Sequence, residues 1–270
     1  MNKKLIAIMI VAILVVAAVG AVVYTSSNQD KDKRMNTDEI AAVYGNANND
    51  YTVDNLDTDF IQDIVNGKTS WDKSANPFAD ANNDGAITQE DVELTQKIIS
   101  REPCEVYYYN YFGEAQKLKY PVDASRIAVT YWQQAEEVGI LGLWDNVVCA
   151  NAIVADEAYL YDTSNVTYMG DESGASLDSE QVQLMLEKKV TLIVGSGYDS
   201  VRKYADPLAE QGVQTIYLWH AGNYCLGTLL TMGVLVDAEE QAQKFVQYWV
   251  DLQEMLEDRV PAKEDRPSVV

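Results

Sequence analysis

Histidine is all but absent from this 270-residue chain: His220 is the single copy. Imidazole chemistry would rest on that one residue, and a lone histidine is more often a satisfied surface or core side chain than a ligand. Cysteine is nearly as scarce. Cys104, Cys149 and Cys225 show no metal-binding spacing, and three thiols cannot all pair, so at most one disulfide forms. Cys149 sits in the apolar run 147–150, where a small buried hydrophobe is the ordinary explanation. Positive charge is the third deficit. Twenty Lys and Arg stand against 42 Asp and Glu, giving a formal net charge of −22 and a pI near 4.2. That balance excludes nucleic acid as a partner, because phosphate contact needs clustered Lys and Arg; it suits an extracellular surface. No serine elbow, paired carboxylates or metal triad lies at a strand end. Gly195-Ser196-Gly197 lacks the third glycine, the lysine and the acidic residue of nucleotide loops. The chain is therefore expected not to be an enzyme.

One long apolar run is present, at 5–24, preceded by Lys3 and Lys4. Its length matches the ~20 residues that cross a bilayer, with the lysines on the cytoplasmic side. Ala and Gly in 17–21 keep a cleaved signal peptide open as the alternative. The polar stretch 25–34 reads as a tether. The expected place of the rest is the outer face of the cell membrane, or the medium if the segment is cleaved.

Residues 80–91 put oxygen ligands at alternate positions of a twelve-residue loop: Asp80, Asn82, Asp84, the Ala86 carbonyl and Asp91. A hard cation such as Ca²⁺ takes six to eight oxygens from such a loop, and Gly85 permits the sharp turn at its sixth position. A second copy lies 34 residues earlier, with Asn46, Asn48, Asp50, Thr52 and Asp57 in the same places. Phe60, Ile64 and Val65 then fall opposite Leu94, Ile98 and Ile99, the apolar stripe of a short helix after each loop. Residues 37–102 carry 14 acidic and 4 basic side chains, which repel one another without a cation. Solvated Asn/Asp turns are the plainer alternative. Paired loops closing on Asp rather than Glu, each followed by one helix, resemble the dockerin type I module over about residues 38–102. The resemblance implies calcium binding and a cohesin-domain partner. The first copy departs from the pattern at Asn46 and Tyr51.

Beyond residue 103 strands and helices alternate. A hairpin is expected at 106–112 and 116–120, then strands at 126–130, 146–150, 190–194 and 214–218, with helices at 133–142, 178–188 and 201–211. The continuous apolar run 190–194 fits a strand buried on both faces of a parallel sheet. Ligands of such sheets sit beyond the carboxyl ends of the strands. Tyr131, Trp132, Ser196, Tyr198, Trp219 and His220 fall there, an aromatic rim suited to a bulky planar or chelated ligand, or else ordinary half-buried loop aromatics. Asn165-Val166-Thr167 matches an N-glycosylation acceptor in a loop.

The ordered fragments RIAVTYWQQAEEVGILGLWDNVVCAN, LDSEQVQLMLEKKVTLIVGSG, YADPLAEQGVQTIYLW and LGTLLTMGVLVDAEEQAQKFVQYWVDLQEMLEDRV resemble the amino-terminal lobe of solute-binding proteins that serve ABC importers of iron-siderophores, haem and cobalamin. The resemblance implies a metal-chelate ligand, an ABC permease as partner, and a long helix at 237–259 leading to a second lobe. That lobe is not in the sequence, so the expectation is either a truncated or split gene product or another chain that supplies the second wall, and the chain alone is expected to bind ligand weakly or not at all. The expected class is thus α/β: a parallel-sheet lobe with flanking helices (103–270), preceded by a small all-α calcium-loop module (35–102) and an N-terminal transmembrane helix with its tether (1–34). The competing expectation is a membrane-tethered adaptor for cohesin-type partners, its lobe no longer binding ligand.

Overall fold

The computed structural model describes residues 40–155, 161–170, 177–195, 197, 199–217, 225–257 and 259. Their centre is a parallel sheet built from β3 (Ile127–Val129), β4 (Val147–Asn151), β5 (Thr167–Met169), β6 (Leu192–Gly195) and β7 (Gln214–Tyr217), in the spatial order β5-β4-β3-β6-β7. All neighbouring pairs are parallel. Side chains that alternate along each strand divide between two cores. Ile127, Val129, Leu192, Val194 and Ile216 enter one, Ala128, Cys149, Ile193 and Tyr217 the other. A sheet covered on both faces needs apolar residues at every strand position, and β6, fully buried, has them.

Helices supply the covers. The first core takes α3 (Trp132–Ile140) through Val138, α6 (Cys225–Val236) through Leu230 and Leu235, and α7 (Glu239–Glu257) through Ala242 and Val246. The second takes α4 (Ser179–Glu187) through Val182 and Met185, and α5 (Asp199–Ala209) through Val201 and Leu208. Glycine lets α6 and α7 cross closely: a Cβ on Gly233 would lie 2.8 Å from that of Ala242. The antiparallel hairpin β1 (Cys104–Tyr109) and β2 (Ala115–Tyr120) opens this part of the chain. Its turn is held by the Asn110 side chain, which accepts from the N–H groups of Phe112 and Glu114.

The duplicated segment forms α1 (Asn55–Val65) and α2 (Gln89–Ile99), which pack on each other around Ile61 and Val92. It does not stand apart from the sheet. Tyr109 N–H donates to Ala42 O at 2.8 Å, Tyr44 N–H to Tyr107 O at 2.9 Å, and Ala42 N–H to Thr231 Oγ1 at 2.8 Å. Ala41, Val43, Val53 and Ile98 belong to the same core as β1, β2 and α6. Packing therefore runs unbroken across residues 102 and 103.

Element boundaries lie within a few residues of the expected ones, and of the strands and α-helices two were not expected. β5 is three residues long at the sheet edge, inside a polar stretch without alternation. α6 is apolar on every side and shows no helical period. No helix among the described residues is long and apolar enough to cross a membrane, and the run at 5–24 and the tether at 25–34 lie outside them.

Candidate functional site

Two places collect the residues singled out by sequence. The first is the pair of loops, which share one hydrogen-bond plan. In the second loop Asp80 Oδ1 accepts from Asp84 N–H, Asp84 Oδ1 from Ala86 N–H, Asp91 Oδ1 from Asn82 N–H and Asp91 Oδ2 from Thr88 N–H. The first loop repeats each bond 34 residues earlier: Asn46 Oδ1 from Asp50 N–H, Asp50 Oδ1 from Thr52 N–H, Asp57 Oδ1 from Asn48 N–H and Asp57 Oδ2 from Asp54 N–H. Asn49 and Asn83, fourth in each loop, both take left-handed backbone at φ 60° and 56°. The last bond in each set also makes Asp57 and Asp91 members of the capping boxes of α1 and α2, so each loop is fused to the helix it precedes.

The copies differ at the positions where the sequence departs from the pattern. Gly85 adopts φ 94° and its N–H donates to Asp80 Oδ2 at 2.9 Å. Tyr51 stands in its place in the first loop, and the Asn46 amide donates instead to Ala41 O and Asp50 O, both at 2.8 Å. The first loop is sunk against α7, whose Gln243, Lys244 and Gln247 line a groove of about 530 Å³ with Asp50, Tyr51 and Thr52. The second loop is exposed from Asn83 to Ala86.

Among the described residues no Lys or Arg forms an ion pair with the carboxylates at the ligand positions of either loop. Burial, followed by the Asp50 and Asp54 carboxylates, pushes the Asp57 carboxyl up to about 6 against the two N–H groups it accepts from. Asp80 is also raised, first by burial and then by Asp91 and Asp84. The donor set is oxygen throughout, right in kind and order for a hard cation. Among the described residues, however, no three His, Cys, Asp or Glu side chains are gathered into a metal-ready cluster. The carboxylates hold backbone N–H groups instead.

The second place is the carboxyl edge of the sheet. β3 is flanked by β4 on one side and β6 on the other, so winding reverses between β3 and β6. A crevice opens outside the strand ends at such a reversal. Tyr131 and Trp132 stand there at the start of α3, half-buried, with ring centroids 5.6 Å apart. Ser196, Tyr198, Trp219 and His220 lie outside the described residues. One turn into α3, Gln134 is fully buried and neither of its amide atoms has a hydrogen-bond partner. A buried amide left so costs ~1–3 kcal/mol, a penalty that tends to be retained at functional sites.

Sequence reasoning missed the hairpin turn as part of this edge. Tyr111 N–H donates to Tyr217 O at 2.9 Å, and the Phe112 ring meets Tyr217 edge-on at 5.5 Å. Arg202 lies 4.2 Å over Phe112 and pairs with Glu114 at 2.9 Å. A Cβ on Gly197 would come within 2.0 Å of the Tyr111 ring, so glycine is what lets the turn close over the end of β6. The signal was available: Asn110 followed by Gly113 marks a turn, although 106–112 also reads as a strand.

No protein-family model matches the chain. No curated protein matches it either. Several solved structures do. The heme binding protein HmuT is 19% identical, with a TM-score of 0.42, over 59% of this chain and 50% of that one. Holo-ViuP is 19% identical at a TM-score of 0.42, over 56% and 50%. A periplasmic solute binding protein from Veillonella parvula DSM 2008 is 15% identical at a TM-score of 0.47, over 58% and 50%. The chain thus spans about half the length of the structures it matches.

Proposed function

We propose that this chain is a non-enzymatic solute-binding lobe, placed outside the cell, that offers one wall of a site for a bulky planar or chelated ligand of the iron-siderophore, haem or cobalamin class. The observation that carries this is the reversal of winding between β3 and β6, with Tyr131 and Trp132 at its mouth. Paired aromatic rings give stacking area, and a tyrosine tip adds a hydrogen bond, which together suit a flat macrocycle or catecholate. Closure over a ligand needs an opposing wall. A second α/β lobe fills that role, and an ABC permease receives the ligand. Titrating the chain with haemin, a ferric catecholate and cobalamin tests the site. Tyr131→Ala and Trp132→Ala should each weaken the ligand that binds by about tenfold or more. Unchanged binding in both variants would remove the sheet edge from consideration.

The duplicated loops are proposed to take Ca²⁺, with Asp80, Asn82, Asp84, Asp91 and the Ala86 carbonyl as the second loop's donors. Support comes from the oxygen-only donor set and from buried carboxylates that, among the described residues, pair with no Lys or Arg. The ion would supply the missing positive charge and draw the carboxylates together. Calorimetric titration with CaCl₂ should show uptake by the native chain that Asp84→Ala weakens at least tenfold; no heat of binding would sink it.

A further inference from the structure

Position 1 of each loop is buried, and there the two copies differ in chemistry. Asp80 fills it in the second loop and Asn46 in the first. Over positions 1, 3, 5 and 12 the second loop carries three carboxylates and the first carries two. Loops of this kind tune their calcium affinity by ligand charge, so the first copy begins at a disadvantage.

The Asn46 amide does more than remove a charge. Both of its donor hydrogens are engaged, one by Ala41 O and one by Asp50 O, each at 2.8 Å, while Oδ1 accepts from Asp50 N–H at 3.1 Å. An amide nitrogen offers a hard cation no lone pair. Turning the group over would set Oδ1 against two carbonyl oxygens inside the protein and strip each of a donor, which burial makes costly. Asp50 O also accepts from Ala41 N–H at 3.0 Å, so both of its lone pairs are in use. Position 1 of the first loop is thus committed to protein hydrogen bonds.

Position 6 departs in the same direction. Gly85 turns at φ 94° and brings its N–H to Asp80 Oδ2, whereas Tyr51 does not take left-handed backbone and packs against the first core. Residues 49–52 are half-buried, while 83–86 are exposed. What Asn46 grips is the segment 41–43, through Ala41 O and, with its own backbone N–H, Val43 O at 3.0 Å. Ala41 and Val43 are fully buried in the first core, and Ala42 is hydrogen-bonded to Thr231 and Tyr109. The first loop therefore fastens the repeat to the sheet and its helices, and the second faces solvent.

We infer that the chain takes a single Ca²⁺ ion, in the second loop, and that the first loop is a metal-independent joint whose Asn46 amide draws Ala41 and Asp50 together. This rests on the calcium reading of the repeat and narrows it to one copy. Metal analysis and calorimetric titration of the full chain with CaCl₂ should both give one ion per chain. Asp84→Ala, at an exposed position, should leave no site of native affinity, because the first loop holds none in reserve. Asn46→Asp deletes two buried donors, so in chelator it should lower the urea midpoint of the chain. Two ions on the native chain would overturn the inference and leave the calcium reading standing. A site of native affinity surviving in Asp84→Ala would do the same, as would an unchanged midpoint in Asn46→Asp. No uptake by the native chain would remove the calcium reading itself, and the single ion with it. The ion count is taken on the native chain, so the test stands even where Asn46→Asp does not fold.

Discussion

Single side chains in the loops carry two duties, and this sets their response to pH. Asp57 is fully buried, accepts two N–H groups and caps α1, yet its carboxyl is raised to about 6 because burial and two neighbouring carboxylates outweigh those bonds. The unfolded chain releases that proton near the ordinary 3.8. Between these values the folded state holds more protons, so stability falls as pH rises from about 4 to about 6. Above that range the full cost applies, on the order of 2–3 kcal/mol. In chelator, the urea midpoint of the chain should therefore drop across this window, and Asp57→Asn should flatten the drop. A Ca²⁺ excess should restore stability at pH 7. Cys149 gives a simpler case: burial raises its thiol to about 11, so maleimide or disulfide reagents at pH 8 should reach it only after unfolding. The loops were legible because ligand spacing is local in sequence. Substitution of Tyr51 for glycine was legible as a departure, but its outcome was not. Only the fold shows Asn46 closing the first loop with its own amide.

Between elements, one residue joins several pieces of the fold at once. Arg101, just past α2 and left-handed at φ 58°, donates to Tyr120 Oη at 2.6 Å and Val234 O at 3.1 Å, and pairs with Asp237 and Glu239 where α6 turns into α7. It thereby ties the repeat to the elbow beneath the long helix. The guanidinium is about one-quarter exposed, so screening discounts its ion pairs. Arg101→Leu should cost about 1–2 kcal/mol, read as a lower urea midpoint, and Arg101→Lys should recover only part, because one ammonium cannot span four acceptors. At the sheet edge, Gly197→Ala should push Tyr111 off β6 and increase the protease sensitivity of the hairpin turn. Periodicity made most elements readable. It failed for α6, apolar all round, and for β5, three residues long. It says nothing of which element touches which, and so the turn over Gly197 and the grip of Arg101 could not be read in advance.

On the scale of the whole molecule, the consequence is that repeat and sheet should fold as one unit. Composition changes abruptly near residue 103, from acidic loops to alternating strands, and invites a division there. The core does not follow composition. Val43 bridges to Tyr108, Ile98 packs in the cluster that holds Leu118 and Leu235, and Thr231 Oγ1 is acceptor to Ala42 N–H while donating to Gly227 O. That last contact is buried, so removing it leaves an N–H without water or partner, at a cost of ~1–3 kcal/mol. Thr231 belongs to the sheet's own helix α6 and Ala42 to the repeat, which makes the pair a direct test of their coupling. Thr231→Val keeps the shape and deletes the acceptor. Unfolding followed through near-ultraviolet signals and through calorimetry should show one transition, with equal calorimetric and van't Hoff enthalpies, that moves down as a whole in the variant. Two transitions, with only the calcium-sensitive one displaced, would mean that the repeat is a separate module resting on the lobe.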